Sequence, residues 1–123
     1  MIVEERVELR DKLIEEFKKY LILKEINGKI SLARKKKFNL IINNNNELCD
    51  KYSKYINEFS CEEEAKWCIL HRTDVSEYLC PVCNKPRQFY HHNTTCYYRR
   101  TCGDKKCIDN KINKIDKNYY LFY

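Results

Sequence analysis

Two pairs of cysteines carry the clearest chemistry in this chain: Cys80-Pro-Val-Cys83 and Cys102-Gly-Asp-Lys-Lys-Cys107, within the run CPVCNKPRQFYHHNTTCYYRRTCGDKKC. The first pair, with proline inside it, predicts a tight knuckle that turns both sulfurs toward one point. The second pair adds two more thiolates, and four thiolates suit a tetrahedral Zn2+ at Zn–S distances of about 2.3 Å. Asp104 is placed to cap a helix through KKCIDNKINKIDKN, which puts Cys107 in its first turn, where amide dipoles favour a thiolate. Between the pairs, RQFYHH and CYYRRT alternate in polarity around NTT, the pattern of a β-hairpin. Knuckle, hairpin and ligand-bearing helix together describe a treble-clef-like zinc finger with one structural Zn2+, held by Cys80, Cys83, Cys102 and Cys107. Cys96, at the hairpin tip, is the substitute ligand, for Cys102 in particular.

Competing chemistries are open to the same residues. The chain has eight cysteines, and its first residues, MIVEERVELRDKLIEEF, lack the apolar stretch of a secretory signal. Both features point to an intracellular, reducing compartment, where metal binding is favoured over a disulfide framework. A thiol redox pair belongs at the start of a helix that follows a strand, and no thioredoxin-like pattern precedes Cys80. His91, His92 and Asn93 resemble the centre of a zinc-stapled HNH nuclease, in which one histidine is the general base beside a divalent metal. The interval between the cysteine pairs is short for that loop and the final helix carries no histidine, so no catalysis is expected. Cys61, Cys68 and His71 offer a second metal site, with burial as small hydrophobic thiols as the plainer reading.

Charge divides the chain in two. Met1 to Glu77 holds 15 Lys/Arg and 15 Asp/Glu, whereas Tyr78 to Tyr123 holds 9 against 3 and seven of the ten tyrosines. Four thiolates on Zn2+ carry a net −2, which lowers the final segment from +6 to about +4. Arg87, Arg99, Arg100, Lys105 and Lys106 surround the expected finger, interleaved with Tyr90 and Tyr97 (and Tyr98). Cations neutralise phosphates and tyrosines stack on bases, so nucleic acid is the expected partner. A protein partner, met by the helical face or the tail NYYLFY, is the alternative. No run reaches the ~20 apolar residues that span a membrane.

The elements before the cysteines read as helices. EERVELRDKLIEEFKKYLILKE places Val7, Leu13 or Ile14, Phe17 and Leu21 on one face. NGK at Asn27 to Lys29 is a turn, and Ser31 is a candidate cap for a second helix through LARKKKFNLII, with Arg34 to Lys37 on its solvated side. The asparagines from Asn43 to Asn46 end it. ELCDKYSKYINEF gives a third helix with Leu48, Tyr52, Tyr55 and Phe59 inward. Ser60 and Glu63 form a capping box for a fourth, in which Ala65, Trp67 or Cys68, and Ile69 face the core. Glu64-Ala65-Lys66 matches the end of a nuclease motif only in its letters, because that chemistry needs a strand. The expected fold class is mainly α with a small α+β zinc module. A helical domain spans 1–73, and a finger with a C-terminal helix and tail spans 74–123. About 45 residues with few aliphatics cannot bury a sufficient core unaided; zinc ligation, worth an apparent ~10–16 kcal/mol, would supply the deficit.

From about Ser60 to Asn110 these features also form a family pattern. A short helix ending in Ile-Leu-His is followed by CPVCNKP, an aromatic strand, YYRRTC and KKC. This resembles the zinc-finger segment of phage and mobile-element proteins that precedes Vsr-like or homing endonuclease domains. The resemblance implies that Cys80, Cys83, Cys102 and Cys107 are the zinc ligands and that the module engages DNA. It covers under half of the chain. Those proteins continue into a nuclease domain, while this sequence has 16 residues after Cys107 and no catalytic constellation. It is expected to be the DNA-engaging part alone, or a truncated relative with catalysis supplied by a protein partner.

Overall fold

In the computed structural model, which describes residues 1–92 and 95–109, helix α1 spans Val3–Lys19. Glu4 and Glu5 sit in its first turn and Lys18 and Lys19 in its last, both favourable to the helix dipole. Leu13, Ile14 and Phe17 are buried along one face, while Val7 is only half-buried. The helical period continues in the sequence to Glu25, but the helix stops at Lys19 and Leu21 takes a left-handed φ of 58°. Leu21 is therefore an exposed turn residue rather than part of the inner face.

The next ten residues correct the all-helical expectation. Strands β1 (Leu23–Ile26) and β2 (Lys29–Leu32) pair antiparallel, in register from Leu23↔Leu32 to Ile26↔Lys29. Asn27 and Gly28 have φ of 52° and 77°, the two positive values that a type I′ turn requires. Asn-Gly is a strong hairpin signal, and here it overrides the helical period around it. Ser31 pairs with Lys24 in the hairpin instead of capping a helix. Helix α2 (Lys35–Asn43) starts later, after Arg34, with no side-chain cap. Its Phe38 and Ile42 are buried, and Arg34 to Lys37 are exposed as expected.

Helix α3 (Asn46–Ile56) is capped by Asn45, whose side chain accepts the Leu48 N–H at 3.0 Å. The asparagine run thus ends one helix and starts another. Leu48, Tyr52 and Tyr55 are buried and Phe59 packs against them, the stripe read from the sequence. Helix α4 (Glu62–His71) lacks the expected Ser60–Glu63 capping box: its N-cap is Cys61 with no side-chain cap, and Glu64 instead accepts the Ser60 N–H (2.8 Å) and Oγ–H (2.9 Å). A carboxylate at Glu64 faces inward toward Ser60, whereas Glu63 is exposed. Ala65, Cys68 and Ile69 are buried, and Trp67 stacks on His71 at the half-open edge.

Three rings knit these helices together. Phe17, Phe38 and Tyr52 meet edge to face, with centroids 5.3–5.9 Å apart. Such pairs each add about 0.5–1.5 kcal/mol beyond area burial. One long-range polar contact closes the unit: the Arg6 Nε and Nη2 donate to both Asp74 oxygens at 2.6 and 2.7 Å, and Arg10 Nη1 donates to the Thr73 carbonyl at 2.8 Å. Nothing in the sequence pattern announces this pairing.

The chain divides into two compact units, Met1–Asp74 and Val75–Tyr123. The second opens with a 3₁₀ turn at Val75–Glu77 and a bridge between Leu79 and Pro86. Strands β3 (Phe89–His92) and β4 (Thr95–Tyr98) then pair antiparallel, from Phe89↔Tyr98 to His92↔Thr95. Residues 105–109 are helical. Asn93 and Thr94 of the expected hairpin turn, the helix beyond 109 and the tail NYYLFY lie outside the described residues. The fold is mixed α+β, with a small antiparallel sheet in each unit. Among the described residues no helix is long and apolar enough to cross a membrane.

Candidate metal centre

Two short turns deliver the cysteines. In the first, the Cys80 N–H donates to the Lys85 carbonyl (2.7 Å), and the Asn84 N–H donates back to the Cys80 carbonyl (2.9 Å). Asn84 takes a φ of 65°, which the short polar side chain tolerates, and the chain reverses there. The Arg87 N–H donates to the Tyr78 carbonyl at 2.9 Å, so a short antiparallel ribbon holds the base of the knuckle.

The second turn hangs from the hairpin. The Gln88 N–H donates to the Thr101 carbonyl (2.9 Å) and the Arg99 N–H to the Gln88 carbonyl (2.7 Å), extending the β3–β4 ladder toward Cys102. Gly103 has a φ of 92°, and a Cβ there would lie 2.8 Å from the Gln88 Oε1. The glycine directly after Cys102 is the available sequence signal for this turn. Asp104 then caps the helical segment: its Oδ1 accepts the Lys106 N–H at 3.2 Å, and its carbonyl accepts the Cys107 N–H at 3.0 Å. Cys107 falls in that first turn, as its spacing from Asp104 predicts.

The result is a cluster in which the sulfurs of Cys80, Cys83, Cys102 and Cys107 all lie within 4.8 Å of one another. Cys83 and Cys102 approach to 3.5 Å. A tetrahedron with four Zn–S bonds of about 2.3 Å has edges of roughly 3.8 Å, so the four thiols could hold such an ion. Two disulfides would need only two close pairs; mutual proximity of all four is compatible with a shared ion. Cys80 and Cys107 are buried, Cys102 is half-buried and Cys83 faces solvent.

Protonation in the cluster follows from its crowding. Burial works against a Cys80 thiolate, but the amides of Cys83, Val82 and Cys102 aimed at its sulfur outweigh that and bring its pKa to about 6. Burial, reinforced by the sulfurs of Cys83, Cys102 and Cys80, pushes Cys107 up to about 12. At Cys83 the Lys85 amide and the Cys107 sulfur pull the pKa down, but desolvation and the sulfurs of Cys102 and Cys80 raise it overall. Negative charge thus settles most easily on Cys80 and is resisted at Cys83 and Cys107. A divalent cation held by these four sulfurs would reverse that resistance, because each thiolate would then face positive charge.

The other candidate residues sit as follows. Cys96 is half-buried in β4, opposite His91, and is not part of the four-sulfur cluster. His91 and His92 are exposed neighbours on β3; adjacent strand residues point to opposite faces, so their imidazoles diverge. Cys61, Cys68 and His71 do not come together as a ligand set among the described residues. Cys68 is fully buried, and His71 Nδ1 lies 2.8 Å from the Trp67 carbonyl. Glu64 and Ala65 are buried on helix α4, not on a strand.

The aromatic and basic residues gather on the hairpin. Tyr90 and Tyr97 are cross-strand partners with rings 5.0 Å apart, and the Arg99 guanidinium lies 5.0 Å over the Tyr90 ring. Arg87 Nε donates to the Leu79 carbonyl at 3.3 Å, while Arg100, Lys105 and Lys106 are exposed. On the opposite face Tyr78, which the sequence spacing does not single out, stacks on Tyr98 at 4.3 Å, and Phe89 meets Tyr98 edge-on.

No protein-family model matches the chain, and comparison with curated proteins and with solved structures finds no match.

Proposed function

We propose that the second unit is a treble-clef-like module stapled by one structural Zn2+ on Cys80, Cys83, Cys102 and Cys107, and that it binds nucleic acid, DNA foremost, without catalysis of its own. One observation carries the metal reading. Among the described residues from Val75 onward, the buried side chains are those of Cys80, Thr101 and Cys107. Among the described residues the cysteine cluster is itself the core of this unit, and a core of thiols without an ion offers little apolar area to offset the chain entropy of folding. Bound there, zinc would serve as a cross-link, with Asp104 and the knuckle amides fixing the ligands around it.

The nucleic-acid reading is supported by the cations around that cluster. Arg87, Arg99, Arg100, Lys105 and Lys106 make no ion pair among the described residues. Unpaired cations on a small basic unit complement a phosphate backbone. The features read as similar to phage and mobile-element zinc fingers support the same proposal, with a separate protein partner supplying any cleavage.

Elemental analysis of the purified chain tests the first half, with one zinc per chain expected. Cys80→Ser or Cys107→Ser should unfold the second unit and leave most of the helical signal intact. A folded, metal-free protein overturns the zinc reading. For the second half, Arg99→Ala with Arg100→Ala should weaken DNA binding broadly across sequences. It should also flatten the slope of log affinity against log salt by roughly 0.9 for every duplex phosphate that the arginines no longer neutralise. Unchanged affinity overturns it in favour of protein recognition, and metal-dependent nicking that disappears in a His91→Ala, His92→Ala variant would establish the nuclease alternative.

A further inference from the structure

The two faces of the β3–β4 hairpin are built differently. Phe89 and Tyr98 lie on one face, where Tyr78 stacks on Tyr98 with its plane only 7° from parallel. Those rings pack against each other. Tyr90 and Tyr97 lie on the other face and meet each other at 36°, with Arg99 beside them. Tyr97 remains 44% exposed, although it is a large ring on a small unit. Among the described residues no third ring stacks on either of them.

Resting on the nucleic-acid reading above, we infer that this face is a stacking platform for single-stranded nucleic acid, with unpaired bases on Tyr90 and Tyr97 and a backbone phosphate on Arg99. The charge complements such a strand: from Arg87 to Thr101 the sequence holds three arginines and no Asp or Glu. Duplex DNA does not need these rings. Its base faces are hidden in the stack, and a duplex is held through phosphates and groove edges, to which arginines alone suffice. A ring pair with one member exposed and the other half-buried becomes useful when base faces are free, and stacking on it tolerates any sequence because every base has a π-face. Cross-strand pairing fixes the two rings side by side, so the platform is ordered before the strand arrives.

The test compares the full chain, as purified, on a fluorescent oligothymidine of about 12 nucleotides and on a duplex of equal length, by anisotropy at low salt. Tighter binding to the single strand is expected. Tyr97→Leu and Tyr90→Leu keep apolar cover on the hairpin but remove the π-face. Each should weaken single-strand binding by about 5- to 150-fold, while duplex binding is little changed. Tyr97→Phe, which keeps the ring, should bind like the parent. Circular dichroism and metal content verify that each variant holds its fold. Equal or tighter duplex binding, with leucine variants indistinguishable from the parent, overturns the platform and leaves the phosphate-based reading standing. No binding to either polymer overturns both.

Discussion

Asp74→Ala should be among the most damaging single changes in the first unit. Its carboxylate takes two short hydrogen bonds from Arg6, at 2.6 and 2.7 Å, and the two side chains retain only 5% and 11% of their exposure. Removing the carboxylate strands a guanidinium in a site where Tyr55 and the helices exclude water. Breaking a buried pair from one side costs about 3–5 kcal/mol. A unit of 74 residues is stable by roughly 4–11 kcal/mol at ordinary per-residue values, so the variant should sit near its unfolding threshold. Arg6→Met removes both of those hydrogen bonds from the buried carboxylate and should likewise destabilise the unit. The double variant Arg6→Met, Asp74→Leu leaves no orphaned charge and should be destabilised much less than the two single variants combined. Urea titration of the full chain suits the measurement, followed by helical circular dichroism and by Trp67, the single tryptophan, on α4. A cost below about 1 kcal/mol for both Asp74→Ala and Arg6→Met, or strict additivity in the double variant, would refute the reasoning.

Tyr55→Phe should be neutral or stabilising by up to about 1 kcal/mol, because the buried Tyr55 hydroxyl has no hydrogen-bond partner among the described residues; a clear destabilisation in the same titration would show a partner. Glu62 accepts the Tyr52 hydroxyl at 2.8 Å and pairs with Lys66 at 3.2 Å; burial opposes its charge, but these partners hold its pKa below the usual value. The depressed pKa means that its contribution is full above the unfolded-state value near ~4.3 and is lost as pH falls through the folded value. Being partly exposed, Glu62→Gln should cost under about 1 kcal/mol at neutral pH, with the difference from the parent vanishing in acid melts. Gly103→Ala should weaken the second unit by about 1–3 kcal/mol, since an L side chain resists a φ of 92°, and the added Cβ presses on Gln88. Metal retention against a chelator would measure that weakening, and unchanged retention would show that the turn relaxes freely.

The elements that local signals determine are legible in the sequence. Asn45 to Phe59 forms its helix with Leu48, Tyr52 and Tyr55 inward because an apolar stripe at helical spacing must be buried wherever it lands. The two cysteine pairs and Asp104 likewise prescribe their own turns, since ligand spacing and capping act over a few residues. Where two local signals compete, the helical period over 20–25 yields to the Asn27-Gly28 turn, whose positive φ values set the register of a hairpin. The missing Ser60–Glu63 box at α4 has a related cause, because the helix starts one residue later, after Cys61, and it is Glu64 that faces Ser60 once the helix is docked.

Tertiary structure alone decided the pairings whose partners lie far apart in the chain. Arg6 and Asp74 are 68 residues apart and carry no periodic signature, so only the folded unit could pair them. Eight cysteines allow many groupings, and local spacing could not exclude Cys96 as a ligand; the pairing of β3 with β4 keeps it opposite His91 while Cys102 joins Cys80, Cys83 and Cys107. The same register sorted the tyrosines. Composition showed an aromatic, basic segment, but strand alternation turned Tyr98 toward Tyr78 and left Tyr90 and Tyr97 together on the other face. A sequence specifies which side chains exist and their local period, while the face each one occupies depends on a register that is settled only when the strands meet.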